Sequence, residues 1–368
     1  MARVREVDVD DLEAVAILTQ AAGWGAPTVE SWKHIWVDNP SLHVGGPRIS
    51  RGWVLEEGSR IVGFLCNLAQ LYHFGGYALR AAVASSLVVA REFRGQTLQL
   101  VLAYARQGNV DLLLNTTAAP QTSKIFQFLK FDRIPQAHYD RSFYWVLQPA
   151  RFLNSGLRKK GYASAVSRVG SVMLAPLLRG DMRLRGRGPG FRDGRLNIKI
   201  HPAETAGSDI DDLWERKLAE GRKLLACRDA QSVRWHFAAA GKSHPPVLIC
   251  GYSGTRLAGY LALVRQDAPH IQLQRARIAD LFVERDDPDI IRQLSCAAMQ
   301  QARADGADML EAIGFPEHFQ RLFQESHPFE LWNESWPFLY KALQPELHHE
   351  LTSADLWHAC SYDGDGAL

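Results

Sequence analysis

The chain has 368 residues, a formal net charge of +2, and 46% hydrophobic against 22% charged residues. That is enough apolar content for two packed cores, and it excludes global disorder. No apolar run approaches the ~18 residues of a membrane span, and the start, MARVREVDVDD, lacks the apolar stretch of a secretory leader, so a cytoplasmic location is expected. Five scattered cysteines without a CxxC pair argue against a disulfide framework or a zinc site, and no metal is expected.

In chain order, Val4–Val9 alternates like a strand, and Asp10 and Asp11 are expected to cap a helix whose apolar face holds Leu12, Val15, Ala16 and Leu18. Val29–Val37 predicts a second helix, ended by Asn39-Pro40, because proline disfavours helix in the residue before it. Trp32 and Trp36, four apart, share one face of that helix and read as core. Gly52–Leu55 and Arg60–Leu68 are strands joined through the Glu57-Gly58 turn, and Leu79–Val89 is a nearly uncharged central strand. Thr97–Gln107 is a helix stopped by Gly108-Asn109. Then come a strand at Asp111–Asn115, a short helix at Ser123–Leu129 and an edge strand at Phe143–Leu147.

Two blocks recur in the second half. GSRIVGFLCNLAQ (Gly58–Gln70) returns as GTRLAGYLALVRQ (Gly254–Gln266), and YARQGNVDLLL (Tyr104–Leu114) as QARADGADMLE (Gln301–Glu311). Matching order and spacing point to duplication. Between the halves, Arg151–Lys199 carries twelve basic residues against Asp181 and Asp193. The reading is an α/β fold with an α+β mixed sheet in each of two tandem domains: residues 1–150, a basic linker at 151–197 with an amphipathic helix, a second and degenerate domain at 198–345, and a tail at 346–368.

At the end of the central strand the text runs V-A-R-E-F-R-G-Q-T-L-Q (Val89–Gln99). This resembles the V-x-P-x-Y-R-G-x-G-x-G segment of the GCN5-related N-acetyltransferase (GNAT) superfamily, between a strand and a helix. Arg91, Thr97 and Gln99 depart from the pattern, while Phe126–Phe131 (FQFLKF) lies where the family has its Y-e-k-l-G-F ending. The resemblance implies acetyl-CoA or another acyl-CoA as cosubstrate and a splayed strand pair. The pantetheine arm would follow the main chain of Leu87, Val88 and Val89, and the pyrophosphate would meet Arg94, Gly95, Gln96, Thr97 and Leu98. A helix N-terminus with a nearby arginine suits that charge, and Thr97 is positioned to cap the helix. The equivalent turn of the second half, FVERDDPDII (Phe282–Ile291), has carboxylates where a phosphate would sit, so the second half is not expected to bind coenzyme A.

Direct acyl transfer needs a base for the acceptor and a proton for the leaving thiolate. Phe126 stands where many relatives have a proton-donating tyrosine, so Thr116, Thr117, Thr122 and Ser123 are the replacement donors, Thr117 foremost. Tyr72 and His73, at the tip of the hairpin near Gly75-Gly76, are the base candidates. His348, His349 and His358 lie in the tail without a supporting metal-ligand pattern.

In the basic segment, Tyr162, Val166, Val169 and Met173 fall at helical spacing until Pro176, with Arg158, Lys159 and Arg168 nearby. Such a helix either packs between the halves or gives peripheral membrane contact through 158–195. The Arg/Gly tract that follows lacks the aromatic interleaving of nucleic-acid binders. The acceptor is expected to be a small molecule or a saccharide- or lipid-linked amine or hydroxyl. The alternatives are a non-catalytic tandem scaffold and an aminoacyl-type transferase of cell-envelope or polysaccharide metabolism.

Overall fold

The computed structural model describes residues 2–23, 28–188, 194, 196–238, 244–332 and 337–366. The first half opens with β1 (Arg3–Glu6), α1 (Leu12–Ala21) and α2 (Val29–Trp36). Asp11 does not cap α1; its carboxylate turns back to the Asp8 amide and to Arg5. The helix α2 is capped by Thr28, and it seats Trp32 and Trp36 against Phe64, with ring centroids 5.1 and 5.7 Å away. Both tryptophans are core. Next come β2 (Gly52–Glu57), β3 (Arg60–Phe74), β4 (Tyr77–Val89), α3 (Thr97–Ala105), β5 (Leu112–Asn115), α4 (Pro120–Phe128), β6 (Asp132–Arg133) and β7 (Arg141–Val146).

The basic segment is a helical hairpin, α5 (Pro149–Lys159) and α6 (Ser164–Leu184). Pro176 does not end α6; it lies inside the helix on an exposed face, where water can reach the carbonyl its missing N–H leaves unpaired. The Arg/Gly tract begins within the end of α6, and its residues 189–193 and 195 lie outside the described residues.

The second half repeats the order of the first. It comprises β8 (Asn197–Pro202), α7 (Ser208–Leu218), β9 (Leu225–Ala226), α8 (Ala230–His236), β10 (Val247–Ser253), β11 (Arg256–Arg265), β12 (Arg275–Val283), α9 (Pro288–Ala304), β13 (Met309–Ile313), α10 (Glu317–Gln324), β14 (Phe329–Trp332), β15 (Leu339–Ala342) and α11 (Pro345–Glu350).

The two sheets have equivalent orders, β1-β2-β3-β4-β5-β15-β6 and β8-β10-β11-β12-β13-β7-β14, with β9 added beside β3 in the first. One position is exchanged. β7 is not an edge strand of its own half: it lies between β13 and β14 of the second sheet, pairing Phe143 with Ala312 and Glu330. In return, β15 lies between β5 and β6 of the first, pairing Leu339 with Asn115 and Arg133. A cut at residue 150 therefore leaves each sheet without a strand.

One core spans both halves, from Leu68, Tyr72 and Val83 on the first sheet to Trp214, Tyr260 and Phe282 in the second half. The opposite face of the first sheet packs Leu113 and Ala82 on Leu100, Tyr104 and Phe126 of α3 and α4. The last segment of the chain is not a surface tail. Trp357, Ala359, Cys360 and Tyr362 are part of the shared core, so the chain end threads between the halves. No described helix is long and apolar enough to cross a membrane.

Candidate functional site

Strands β4 and β5 run parallel and pair only over Ala81–Val83 and Leu112–Leu114, although β4 continues to Val89. Past Val83 the pair opens into a wedge. A bulge in β4 turns its outer half: Cys66 faces Ser85 but Phe64 faces Val88, and Ser86 takes the left-handed conformation with φ of 51°. Tyr104 closes the narrow end. Its hydroxyl lies 2.7 Å from the carbonyl of Ala82 and 2.8 Å from that of Leu114, and accepts from the Leu114 amide.

The expected cosubstrate residues gather at the wide end. Leu87, Val88 and Val89 form the outer part of β4, and Arg91–Gln96 forms a 3₁₀ turn into α3. Thr97 is not a cap: it is the first residue of α3, and its hydroxyl donates to the Arg94 carbonyl. No side chain caps α3; the Thr97 amide already donates to the Arg94 carbonyl in the preceding turn, so an anion here would have to meet the amides that follow it. Arg94, Gly95 and Leu98 are exposed, Gln96 and Thr97 half-buried, and the space beside Gly95 is open, with nothing within 4 Å of where a Cβ would stand. These residues fit a pyrophosphate.

The second half has the same wedge, with β12 and β13 paired from Arg275 to Ile278 and a bulge at the next residue, Ala279. There it is filled. Cys360 bridges to Gly314, and its thiol lies 3.3 Å from Asp280. Asp287 accepts from the amides of Asp289 and Ile290 at the start of α9. Asp286 binds Lys217 at 2.6 Å and His318 at 3.1 Å; burial alone would raise its pKa, but these partners hold it well below the usual carboxylate range. The donors a phosphate would use are already taken.

The chain end enters the first wedge. Asp365 accepts from Ser85 at 2.5 Å, Thr116 at 3.0 Å and Thr117 at 2.9 Å, so a carboxylate spans the two diverging strands. Its neighbours fix it. The Gly364 amide donates to Gln70, and Gln266 and Arg277 of the second sheet donate to the Gly366 carbonyl. Gly364 has φ of +87°, and a Cβ there would meet Thr116 Oγ1 at 2.4 Å, so only glycine fits. Two residues back, Asp363 accepts from Tyr72 at 2.9 Å and lies 3.7 Å from the buried Arg228. That arginine forks onto Asp280 at 3.0 to 3.2 Å.

Of the sequence-derived candidates, Thr117 thus sits at the wedge. Tyr72 is fully buried, an anchor of the chain end, and burial raises its pKa well above the ordinary value. His73 is half-buried edge-on to Trp214, with its pKa lowered by that burial. It pairs with Ala78 at the hairpin tip, seven residues before Ser85, roughly 23 Å along the strand. Phe126 is fully buried, edge-on to Tyr104 and Phe131. Thr122 and Ser123 lie within α4, with Ser123 buried. Asp365 and Ser85 are the residues that sequence reasoning missed. Burial pushes the Cys66 thiol, next to the bulge, up to about 12, so it stays protonated and is a poor nucleophile. No group of metal-ligating side chains is found among the described residues.

No protein-family model matches the chain, and no curated protein matches it by sequence. Solved structures do. A GCN5-related N-acetyltransferase from Anabaena variabilis is similar over 94% of this chain and 73% of its own, with a TM-score of 0.58 at 10% identity. A conserved protein of unknown function from Enterococcus faecalis, described as a probable N-acyltransferase, has a TM-score of 0.59 at 11% identity over 93% and 72% of the two chains. N-myristoyltransferase of Saccharomyces cerevisiae with bound myristoyl-CoA has a TM-score of 0.56 at 13% identity over 98% and 83%. The chain therefore has the fold of GCN5-related N-acetyltransferases, with two mixed sheets.

Proposed function

We propose that this chain is an acyltransferase that moves an acetyl or longer acyl group from acyl-CoA to an amine or hydroxyl in the wedge between β4 and β5. The observation that carries this reading is the Asp365 carboxylate held across that wedge by Ser85, Thr116 and Thr117, next to a bulged strand and an uncapped helix start. Cosubstrate pyrophosphate would lie on the amides that open α3 beside Arg94, with the pantetheine arm along the free edge of β4. Main-chain N–H groups on that edge would polarise the thioester carbonyl.

The acceptor lone pair then attacks the thioester carbon, forming the C–N or C–O bond as the C–S bond breaks. Asp365 takes the acceptor's proton and returns it to the departing thiolate through the hydroxyl of Ser85 or Thr117, leaving free coenzyme A and regenerated carboxylate. This relay supplies the proton that Phe126 cannot. The acceptor would approach past Thr116, Tyr139 and Arg277, which line a recess beside Asp363 and Gly366.

Calorimetric titration with acetyl-CoA and longer acyl-CoAs, paired with detection of released thiol, tests the reading. Arg94→Ala and Gly95→Asp should each weaken binding about tenfold or more, the scale of a charge-assisted bond lost or a like charge introduced. Asp365→Asn should keep binding within about twofold and slow thiol release by about 10²- to 10⁴-fold. Binding indifferent to both loop substitutions refutes the site. Tight acyl-CoA binding with release unaffected by Asp365→Asn refutes the role of the carboxylate. The rival non-catalytic reading, which leans on Phe126, predicts binding with no release at all.

A further inference from the structure

A helix packed on a soluble protein turns its large apolar side chains inward; α6 does the reverse. The residues it buries are small, Ser167, Ser171 and Ala175, with Gly170 partly covered against Leu157 of α5. Its large apolar residues face solvent: Met173 is 73% exposed, Leu177 71%, Val169 61% and Val166 57%. At about 100° per residue these four fall within roughly a quarter of the helix circumference, Leu184, almost fully exposed, falls on the same line, and Val172, 64% exposed, widens the face by about 60° on the Arg179 side. The stripe runs most of the ~30 Å of a 21-residue helix. Small residues on the packed side let α6 lie close on α5, but they do not account for a row of valine, methionine and leucine on the other.

The charges around the stripe are mostly basic. Arg168, Arg179 and Arg183 are exposed along one flank and Arg185 lies toward the other, with Lys159 and Lys160 exposed at the hairpin turn beside the half-exposed Tyr162. Asp181, the acid described in this helix, is held by Arg185 at 2.6 Å. Arginine and lysine stems can extend along a bilayer boundary with their charges at headgroup level.

We infer that the outward face of α6 is a docking surface for an anionic lipid bilayer, on which the helix lies flat with Val169, Met173 and Leu177 among the acyl chains and Arg168, Arg179 and Arg183 on the phosphates. A second copy of this chain is a poorer occupant, because pairing two such faces brings like charges together. The inference stands on α6 alone and does not depend on the acyl-transfer reading.

The test is sedimentation of the full chain with vesicles, 3:1 phosphatidylcholine:phosphatidylglycerol against pure phosphatidylcholine, in low and high salt. Expected is binding to the anionic vesicles that weakens as salt rises. The apolar variant Val169→Ser/Met173→Ser/Leu177→Ser should reduce partitioning at least tenfold. Arg168→Gln/Arg179→Gln/Arg183→Gln should reduce it by roughly fivefold per charge on anionic vesicles alone. All six positions are exposed, and circular dichroism and the thermal midpoint verify that the variants fold. Three results overturn the proposal: no sedimentation with anionic vesicles, binding that neither folded variant changes, or a dimer in solution that the apolar variant dissociates, which would make the face an interface between copies.

Discussion

Replacing Leu339 with alanine tests the strand exchange directly. Leu339 belongs by sequence to the second half, but it is fully buried in the first half's core with Leu113, Phe126 and Phe131, and it pairs with Asn115. Cutting a fully buried leucine to alanine removes its transfer energy and leaves a cavity, together about 3 to 5 kcal/mol. The opening equilibrium of whatever unit contains the residue should then rise roughly a hundredfold to a few thousandfold. Native-state hydrogen exchange read by peptide mass spectrometry locates that unit. Amides of β4, β5 and β6 should lose that much protection, either alone or together with the whole chain if the exchange makes it one cooperative unit. Loss confined to residues 197–332, with β4 and β5 as protected as before, would refute the exchange.

His358 is fully buried between Phe282 and Phe319 with no hydrogen-bond partner at either ring nitrogen among the described residues, and burial, aided by the Arg228 charge, pushes its pKa down to about 3 from 6.5. Because the folded value is depressed, its contribution is present above pH 6.5 and is lost as pH falls from there toward 3, where the unfolded chain takes up the proton first. The thermal midpoint of the native chain should therefore fall over that range, and His358→Phe should flatten the decline without loss at pH 8; an unchanged acid limb in the variant refutes this. Gly364→Ala should displace Asp365 from Ser85 and Thr116, since the new methyl would overlap Thr116. Acyl-CoA binding should persist while thiol release falls by tenfold or more, and full turnover in this variant would remove the chain end from the reaction.

Much of the first sheet was readable because β3 and β4 are long and apolar, and because the Gly58 and Gly254 turns repeat. The phosphate-loop resemblance pointed to the end of β4, where Arg94 and Gly95 are exposed just before the start of α3. The edge assignment of β7 failed for a definite reason. Its alternation, with Phe143 and Trp145 on one face, says that the strand is half-buried, but hydrophobic period carries no information on which sheet supplies the partner. The tail was misjudged because Asp363-Gly364-Asp365-Gly366 has the composition of a surface turn, whereas its burial depends on Arg228, Gln70 and Arg277, all remote in sequence. One clue was present: Ser85-Ser86 interrupts the apolar run from Ala81 to Val89 of the central strand, and two hydroxyls there ask for a polar partner. The choice of Tyr72 and His73 placed the wrong end of the hairpin over the wedge, because turn position alone does not give the direction in which a strand pair opens.

The reciprocal placement of β7 and β15 also sets a timetable for biosynthesis. β5 leaves the ribosome with Leu112–Asn115, yet the strand that covers its far edge, Leu339–Ala342, follows about 225 residues later. At ~5–20 residues per second the nascent chain carries that bare, leucine-rich edge for roughly 11 to 45 s, and β7 waits somewhat less for its own neighbours. Chaperone demand during translation should thus be high for this chain, and slowing elongation after residue 146 should lower its soluble yield.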